Sequence, residues 1–311
     1  MSAQPMAVGQ PMASPAPTPP PVPTTAESES VPLAVWPCAQ VSAPYQRTGR
    51  YLPDSTLHPG KMLPDLARRI IIEYSAPGAL VVDPMCGIGT TLVEGAALGR
   101  RTLGIDLEAR WADLARRNLD HILPPDQATL GEVRVGDARN LPALLAEVVG
   151  QVDLVATSPP YACSIGMIDK PGWLRGQSLC RPDTRDYSDQ PANLGRARGA
   201  TYLAEMASVY AACHQVLRPG GLLVTVTKNL RRQGRVLDLA AATVALAAQA
   251  DFAYLQHVIA LHAAVRDSRL VARPSFWQLT GVRKARARGE PASIGVHEDV
   301  LVFIRQEVAG G

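Results

Sequence analysis

The chain has 311 residues, of which 47% are hydrophobic and 19% charged, with a formal net charge of +3 and a pI near 8.6. That length accommodates one large α/β domain with insertions and excludes two full-sized domains beside a Pro-rich start. The mild positive charge is compatible with a polyanionic partner without requiring one, because steering depends on where charge is placed.

Residues 1–30 are Pro, Ala, Ser, Thr and Gln with almost no large apolar side chain, a composition that cannot offset chain entropy by burial, so a disordered tail is expected there and a single catalytic domain over 31–311. The tail lacks the basic start and apolar core of a signal peptide, and no later stretch is apolar for long enough to span a bilayer. Cys38, Cys86, Cys163, Cys180 and Cys213 are odd in number, scattered and without metal-ligand spacing, so a reducing, cytoplasmic setting and no metal are expected.

Apolar residues at Met62, Leu63, Leu66, Ile70 and Ile71 have helical spacing over 61–74, and Pro77-Gly78 ends that helix. From there the chain alternates. Strands are expected at 79–82, 101–105, 133–135 and 152–156, with helices at 91–98, 109–121 and 141–149, the order of a parallel doubly wound sheet. Residues 162–200, rich in Gly, Pro, Asp and Arg, break the pattern as an insertion. A helix at 202–217, a Pro219-Gly-Gly221 turn, a strand at 222–227, a helix at 235–249 and a strand at 253–261 follow. A basic, irregular segment 266–290 precedes a last strand at 300–304.

Between the first strand of this unit and its helix lies Asp83-Pro-Met-Cys-Gly-Ile-Gly-Thr-Thr91. Gly87 and Gly89 permit a tight turn and close approach of a ligand to the backbone. Such a loop can serve a dinucleotide. An acid ahead of the glycines, however, suits the ammonium of S-adenosylmethionine better than a pyrophosphate, which wants donors and no nearby carboxylate. Asp106 ends the next strand, where a carboxylate can accept both ribose hydroxyls, and Asp137 follows the third strand, placed to accept from an adenine amino group. Pro84, Cys86, Thr90 and Ala138 complete the expected cofactor set, Cys86 as a small buried residue and not a nucleophile.

The fourth strand runs into Thr157-Ser-Pro-Pro-Tyr161. The two prolines enforce an extended, rigid turn. An exocyclic base amine becomes tetrahedral and positive as it attacks a methyl group, so preplaced oxygens favour the transition state, with Ser158 and the Pro159 carbonyl as acceptors. Pro160 stiffens the turn and Tyr161 offers a face on which a base can stack. A base within a duplex would have to be flipped out.

With these two motifs the chain resembles the S-adenosylmethionine-dependent DNA amino-methyltransferases of the N4-cytosine and N6-adenine type, over roughly 58–305, and His58-Pro-Gly-Lys-Met62 looks like the segment preceding their cofactor loop. The resemblance implies a Rossmann-like class I methyltransferase fold with a mostly parallel seven-stranded sheet. It implies S-adenosylmethionine held by Asp83, Gly87, Gly89, Asp106 and Asp137, and methyl transfer at Ser158 to Tyr161. In that family serine at the first position is more typical of cytosine-N4 enzymes, and Asp or Asn of adenine-N6 enzymes. Met85-Cys86 departs from the Phe-Ala or Phe-Ser common in the DNA enzymes and is similar to some RNA methyltransferases, which keeps that alternative open. Two others stand: a silent nucleic-acid binder that retains cofactor affinity, and a nicotinamide oxidoreductase, for which the loop lacks the usual glycine spacing.

The insertion carries Lys170, Arg175, Arg181, Arg185, Arg196 and Arg198 with Trp173 and Tyr187, diluted by four aspartates, and the later segment carries seven cations from Arg266 to Arg288 with Phe276 and Trp277. Both mixtures suit phosphates and bases as well as they suit a solvated loop. By the family resemblance, DNA is the expected partner ahead of RNA. Little chain is left for a large target-recognition domain, so a short target, a second subunit or loose specificity follows.

Overall fold

The computed structural model describes residues 33–160, 190, 192–197, 199–232, 235–274 and 276–306. In its first half β1 (Val35–Pro37), α1 (Ala43–Arg47), α2 (Pro64–Tyr74), β2 (Leu80–Asp83), α3 (Thr90–Ala97), β3 (Arg101–Asp106), α4 (Ala109–Ile122), β4 (Gly131–Val135), α5 (Leu141–Leu144) and β5 (Val152–Thr157) follow in order. The second half adds α6 (Gly199–Val216), β6 (Leu217–Thr227), β7 (Leu230–Arg232), β8 (Arg235–Leu237), α7 (Leu239–Gln249) and β9 (Phe252–Leu261). It closes with β10 (Ala263–Arg266), β11 (Arg269–Ala272), α8 (Phe276–Ala287) and β12 (His297–Arg305).

Eight strands form one sheet in the order β1-β9-β12-β6-β5-β2-β3-β4. The pairs β2/β3, β3/β4, β2/β5 and β5/β6 are parallel, and β12 runs antiparallel between β6 and β9. This is the expected doubly wound, mostly parallel sheet with all seven strands present. An eighth, β1, adds in parallel at the edge, Trp36 opposite Ala260. Successive residues of a strand face opposite sides, so Val81 packs with Leu66 and Ile70 of α2 on one face while Val82 joins Ile105, Tyr210 and Phe303 on the other. A further apolar cluster joins the glycine loop, α3 and α4 through Ile88, Leu92, Trp111 and Ala115.

Four segments differ from the sequence reading. The helix expected over 235–249 begins only at Leu239, because Arg235–Leu237 pairs antiparallel with Leu230–Arg232 as β8 and Asp238 caps the helix. Residues 141–149 form a four-residue α5 and a separate 3-10 turn, Ala146–Val148, because Leu145 at φ −125° and ψ 36° leaves the helix. The Pro219-Gly-Gly221 turn lies within β6 as a bulge: Leu217 pairs with Val152 and Leu222 with Leu154, and a Cβ on Gly221 would sit 2.8 Å from the Arg218 carbonyl. The segment 266–290 is not irregular. It completes a β10–β11 hairpin, turned at Asp267 and Ser268 with φ of 46° and 59°, followed by α8. Residues 1–32 and most of the 162–200 insertion, with Lys170, Arg175, Arg181, Arg185, Arg198, Trp173, Tyr187, Cys163 and Cys180, lie outside the described residues, while Arg196 ends a described 3-10 turn, Leu194–Arg196. No described helix is long and apolar enough to cross a membrane.

Candidate active site

The strand order reverses at β2, whose neighbours are β3 and β5, and ligands of such sheets bind beyond the carboxyl ends at that reversal. Val82 pairs with Val155, so Asp83 and Thr157 end their strands side by side and both motifs open into the same crevice.

The glycine loop takes the shape that its composition allows. Gly87 and Gly89 have φ of +53° and +80°, and Gly89 caps α3. A Cβ on Gly87 would meet the His58 ring at 3.1 Å, and one on Gly89 would meet Ala115 Cβ at 3.0 Å. Asp106 fastens the loop from behind, its Oδ2 accepting from the Gly87 N–H at 2.8 Å and its Oδ1 from the Glu108 N–H at 2.9 Å.

Asp83 is 4% exposed and lines the cleft. Its Oδ2 accepts from the Thr91 hydroxyl at 2.7 Å and its Oδ1 from the Met85 N–H at 3.1 Å. Burial pushes its pKa up to about 6 against the opposing pull of the Thr91 and Thr157 hydroxyls and the Met85 N–H. Asp106 is likewise pushed up to about 6, mainly by burial, with the charge of Asp83 adding to it. Among the described residues no lysine or arginine forms an ion pair with either. Two buried carboxylates supported only by neutral donors make a pole that favours a cationic ligand, which fits the sulfonium and ammonium of S-adenosylmethionine. The Cys86 thiol, buried beside both, is held well above its ordinary pKa and is no nucleophile.

The cleft has a volume of about 870 Å3. Asp83, Cys86, Gly87, Thr90 and Thr91 face it from the loop side, and Ser158, Pro159 and Pro160 from the end of β5. One wall comes from residues 39–63. Arg47 donates to the Met62 carbonyl at 2.7 Å, the Gln46 amide to the Cys38 carbonyl at 2.9 Å, and Gln46 Oε1 accepts from the Asp65 N–H at 3.1 Å. His58 packs edge-on against Trp111, and burial, aided by the charge of Lys61, holds its pKa down to about 3, so it stays neutral. Lys61, which lines the wall, is lowered to about 8 by burial and then by Arg47. The wall is riveted to α3 and α4: buried Glu94 accepts from Tyr51 Oη at 2.8 Å and Arg50 Nη2 at 2.7 Å, and Asn118 Oδ1 accepts from the Leu52 N–H at 2.9 Å.

The opposite wall is built from the ends of β6, β9 and β12 and from α8. Lys228 Nζ and Gln278 Nε2 converge on the Gly295 carbonyl at 3.0 and 3.1 Å, and His262 Nε2 lies 3.0 Å from Glu298 Oε2. Arg273 lines the same side and donates through Nε to the Ala39 carbonyl at 3.0 Å, joining the two walls.

Of the residues expected from sequence, Asp83, Cys86, Gly87, Thr90, Ser158, Pro159 and Pro160 meet around this cleft. Pro84 is buried under the loop, Gly89 turns towards α4, and Asp106 stands behind the loop. Asp137 accepts from the backbone N–H of Arg139 at 3.0 Å and its Nε at 2.8 Å, and Arg139, which also pairs with Glu205, holds it below the usual carboxylate range. Ala138 is buried in the core beside α6, and Tyr161 lies outside the described residues. Sequence reading did not single out Arg47, His262 or Glu298 as site residues, because they reach the cleft from distant elements. The His58-Pro-Gly-Lys-Met62 pattern pointed at Lys61, and Arg273 was one of the seven cations of the later basic segment.

A family model described as DNA methylase, of the N6/N4 type, matches residues 12–117. Over 109 residues the chain is 35% identical to a tRNA (guanine(10)-N2)-dimethyltransferase of Methanocaldococcus jannaschii, covering 34% of this chain and 30% of that one. It is 30% identical over 168 residues to a release factor glutamine methyltransferase of Bifidobacterium longum, with 52% of each chain covered. It is 34% identical over 93 residues to the DNA adenine methyltransferase YhdJ of Escherichia coli, covering 30% of this chain and 29% of that one. The chain thus spans between about three-tenths and one-half of the length of these relatives. By the family model matched over residues 12–117, and by short stretches of 40% and 39% identity to the type II methyltransferases M2.DpnII of Streptococcus pneumoniae and M.HinfI of Haemophilus influenzae, the part of the chain that carries the glycine loop is similar to the S-adenosylmethionine-dependent N6/N4 DNA methylases.

Proposed function

We propose that this protein transfers a methyl group from S-adenosylmethionine to an exocyclic base amine of DNA, cytosine N4 ahead of adenine N6. The observation that carries the reading is the convergence of Asp83 and its glycine loop with Ser158, Pro159 and Pro160 on one cleft. Asp83 suits the ammonium of the cofactor, and Lys61 and Arg47 on the adjoining wall suit its carboxylate. The cofactor supplies a methyl group on a sulfonium. With the cofactor bound, the amine nitrogen would bond the methyl carbon as the carbon–sulfur bonding pair stays on sulfur, giving the thioether S-adenosylhomocysteine, and the nitrogen's proton would pass to solvent at the open mouth of the cleft. Oxygens of Ser158 and Pro159 accept hydrogen bonds from the amine, orient its lone pair and stabilise the positive charge as it develops. Pro160 holds that turn extended at the end of β5. Serine at 158 favours cytosine over adenine by the family resemblance.

Methylation of an RNA amine is the second reading. Met85-Cys86 in the loop and the similarity to the archaeal tRNA enzyme favour it. Guanine N2 and the glutamine amide, named for two relatives, are planar NH2 groups with delocalised lone pairs, the same acceptor chemistry. Mass spectrometry of nucleosides from DNA and RNA, each incubated with the protein and isotopically labelled S-adenosylmethionine, separates the readings. Label in N4-methylcytosine of DNA supports the first, label in an RNA base the second, and label in neither nucleic acid refutes both.

A further inference from the structure

Between β9 and β12 the chain leaves the sheet as the β10–β11 hairpin and returns through α8. We infer that this hairpin and helix form the face on which duplex DNA docks against the cleft, an inference that rests on the proposed function and names the surface by which the substrate is held.

The first observation is charge. Residues 263–290 hold seven arginines and lysines against Asp267 and Glu290, and Glu290 is already paired with Arg288 at 2.7 Å. Arg269 on the hairpin and Arg283 and Lys284 on α8 are exposed, and among the described residues none of them pairs with a carboxylate. A cationic surface of this kind matches a polyanion and no apolar partner.

The second is the shape of the hairpin. Every residue from Val265 to Arg273 is exposed, while Ala263 and Ala264 root the ribbon in the core and Arg266 and Arg273 tie its sides to Gln40 and Ala39. Arg266 and Arg269 are cross-strand partners, like charges placed side by side next to a turn whose two central residues are not glycine. Arg266 turns its guanidinium onto Gln40 at 2.8 and 2.6 Å, which leaves Arg269 as the exposed cation beside the turn. A two-stranded ribbon fits the major groove of B-form DNA, whereas the deep, narrow major groove of A-form RNA does not admit one.

The third is continuity. His262 and Arg273 flank the root of the hairpin, Gln278 lies in the first turns of α8, and all three line the cleft that holds Ser158 and Pro159. A duplex held on this face has its bases at the mouth of the cleft, where one can be turned in.

The test compares the wild type with the double variant Arg269→Glu/Lys284→Glu by fluorescence anisotropy on a labelled DNA duplex and a labelled RNA stem-loop across a salt series, with calorimetric titration of S-adenosylmethionine alongside. Arg101→Glu, an exposed change at the opposite, amino-terminal edge of the sheet, is the control. The double variant is expected to bind duplex DNA at least ~10-fold more weakly near ~0.1 M salt and to lose about 2 from the slope of log affinity against log salt, with cofactor affinity unchanged. The control is expected to behave as wild type. Unchanged duplex binding by the double variant would overturn the docking face and leave the proposed function standing. Tighter binding of RNA than DNA, lost in the same variant, would overturn the assignment to DNA. A wild type that binds cofactor but neither nucleic acid would overturn the docking face and the proposed function together.

Discussion

Replacing Asp83 by asparagine separates what the carboxylate does for the ligand from what it costs the fold. Asp83 is 4% exposed, and burial lifts its pKa from 3.8 to about 6. A carboxyl whose pKa is raised on folding binds its proton more tightly in the fold than in the open chain. Its contribution therefore favours the fold as pH falls from about 6 towards 3.8 and is least favourable above 6. An interval of about two pKa units at ~1.4 kcal/mol each places the cost of the ionised group at about 3 kcal/mol near pH 7. Asp106 follows the same sign, while His58, held down to about 3 from 6.5, follows the opposite one and loses stability as pH falls through that window. The difference between wild type and Asp83→Asn isolates a single group from this mixture. The asparagine amide can donate to the Thr91 hydroxyl, so in the absence of ligand the variant is expected to be about 1–3 kcal/mol more stable near pH 7.5, the gap closing near pH 4. Its affinity for S-adenosylmethionine is expected to fall about 10- to 100-fold, the value of one charge-assisted hydrogen bond. Urea unfolding across that pH range and calorimetric titration near pH 7.5 measure both quantities. A variant that is less stable than wild type near pH 7.5, or that binds the cofactor equally well, would refute the reasoning.

Ser158→Ala removes one acceptor for the developing ammonium and is expected to slow single-turnover methyl transfer by on the order of 10², while cofactor titration stays at wild-type values. Equal losses in both would make Ser158 a cofactor residue. Gly89→Ala forces a side chain into the left-handed region at φ +80° with its Cβ 3.0 Å from Ala115 Cβ. It should cost about 2–4 kcal/mol in urea unfolding, and a cost below ~1 kcal/mol would contradict the close packing of loop on α4. Arg50→Ala leaves the buried carboxylate of Glu94 with the Tyr51 hydroxyl as its partner from the wall. Because Arg50 is about a third exposed, a loss of about 1–3 kcal/mol is expected in urea unfolding, and pairing it with Glu94→Gln in a double-mutant cycle should recover part of it. Full additivity of the two changes would show that the pair is not coupled.

The half of the fold from β2 to β5 is legible in sequence because buried parallel strands such as Leu80–Asp83 are short apolar runs between Gly or Pro signals, and the helices between them carry a 3.6-residue period. Asp83, Gly87, Ser158 and Pro159 are legible for a related reason: each motif is contiguous, so its chemistry is set by neighbours in the chain. What escaped depends on distant partners. Strand Val35–Pro37 is three residues long, buries only Trp36, and pairs with Ile259 to Leu261 more than two hundred residues away. The β10–β11 hairpin turns on Asp267-Ser268, where no glycine announces the left-handed conformation. Asp137 reads as a free acceptor at a strand end, yet Arg139 two residues on and Glu205 on α6 draw it into an ion-pair network.

The wall formed by residues 39–63 belongs, in chain order, to a stretch that precedes the nucleotide-binding unit altogether, and it is tied down at both ends. Arg266 and Arg273 hold the backbone of Gln40 and Ala39, and His58 rests on Gly87. A shortened protein that began at Ala79 would retain every residue of both motifs and the whole β2–β5 register, and would pass any inspection by motif. It would also leave the Gly87 backbone open to water and Glu94 stripped of Arg50 and Tyr51. The minimal functional unit of this fold is therefore longer than its signature, with its boundary at the edge strand β1 and not at the first strand of the glycine loop.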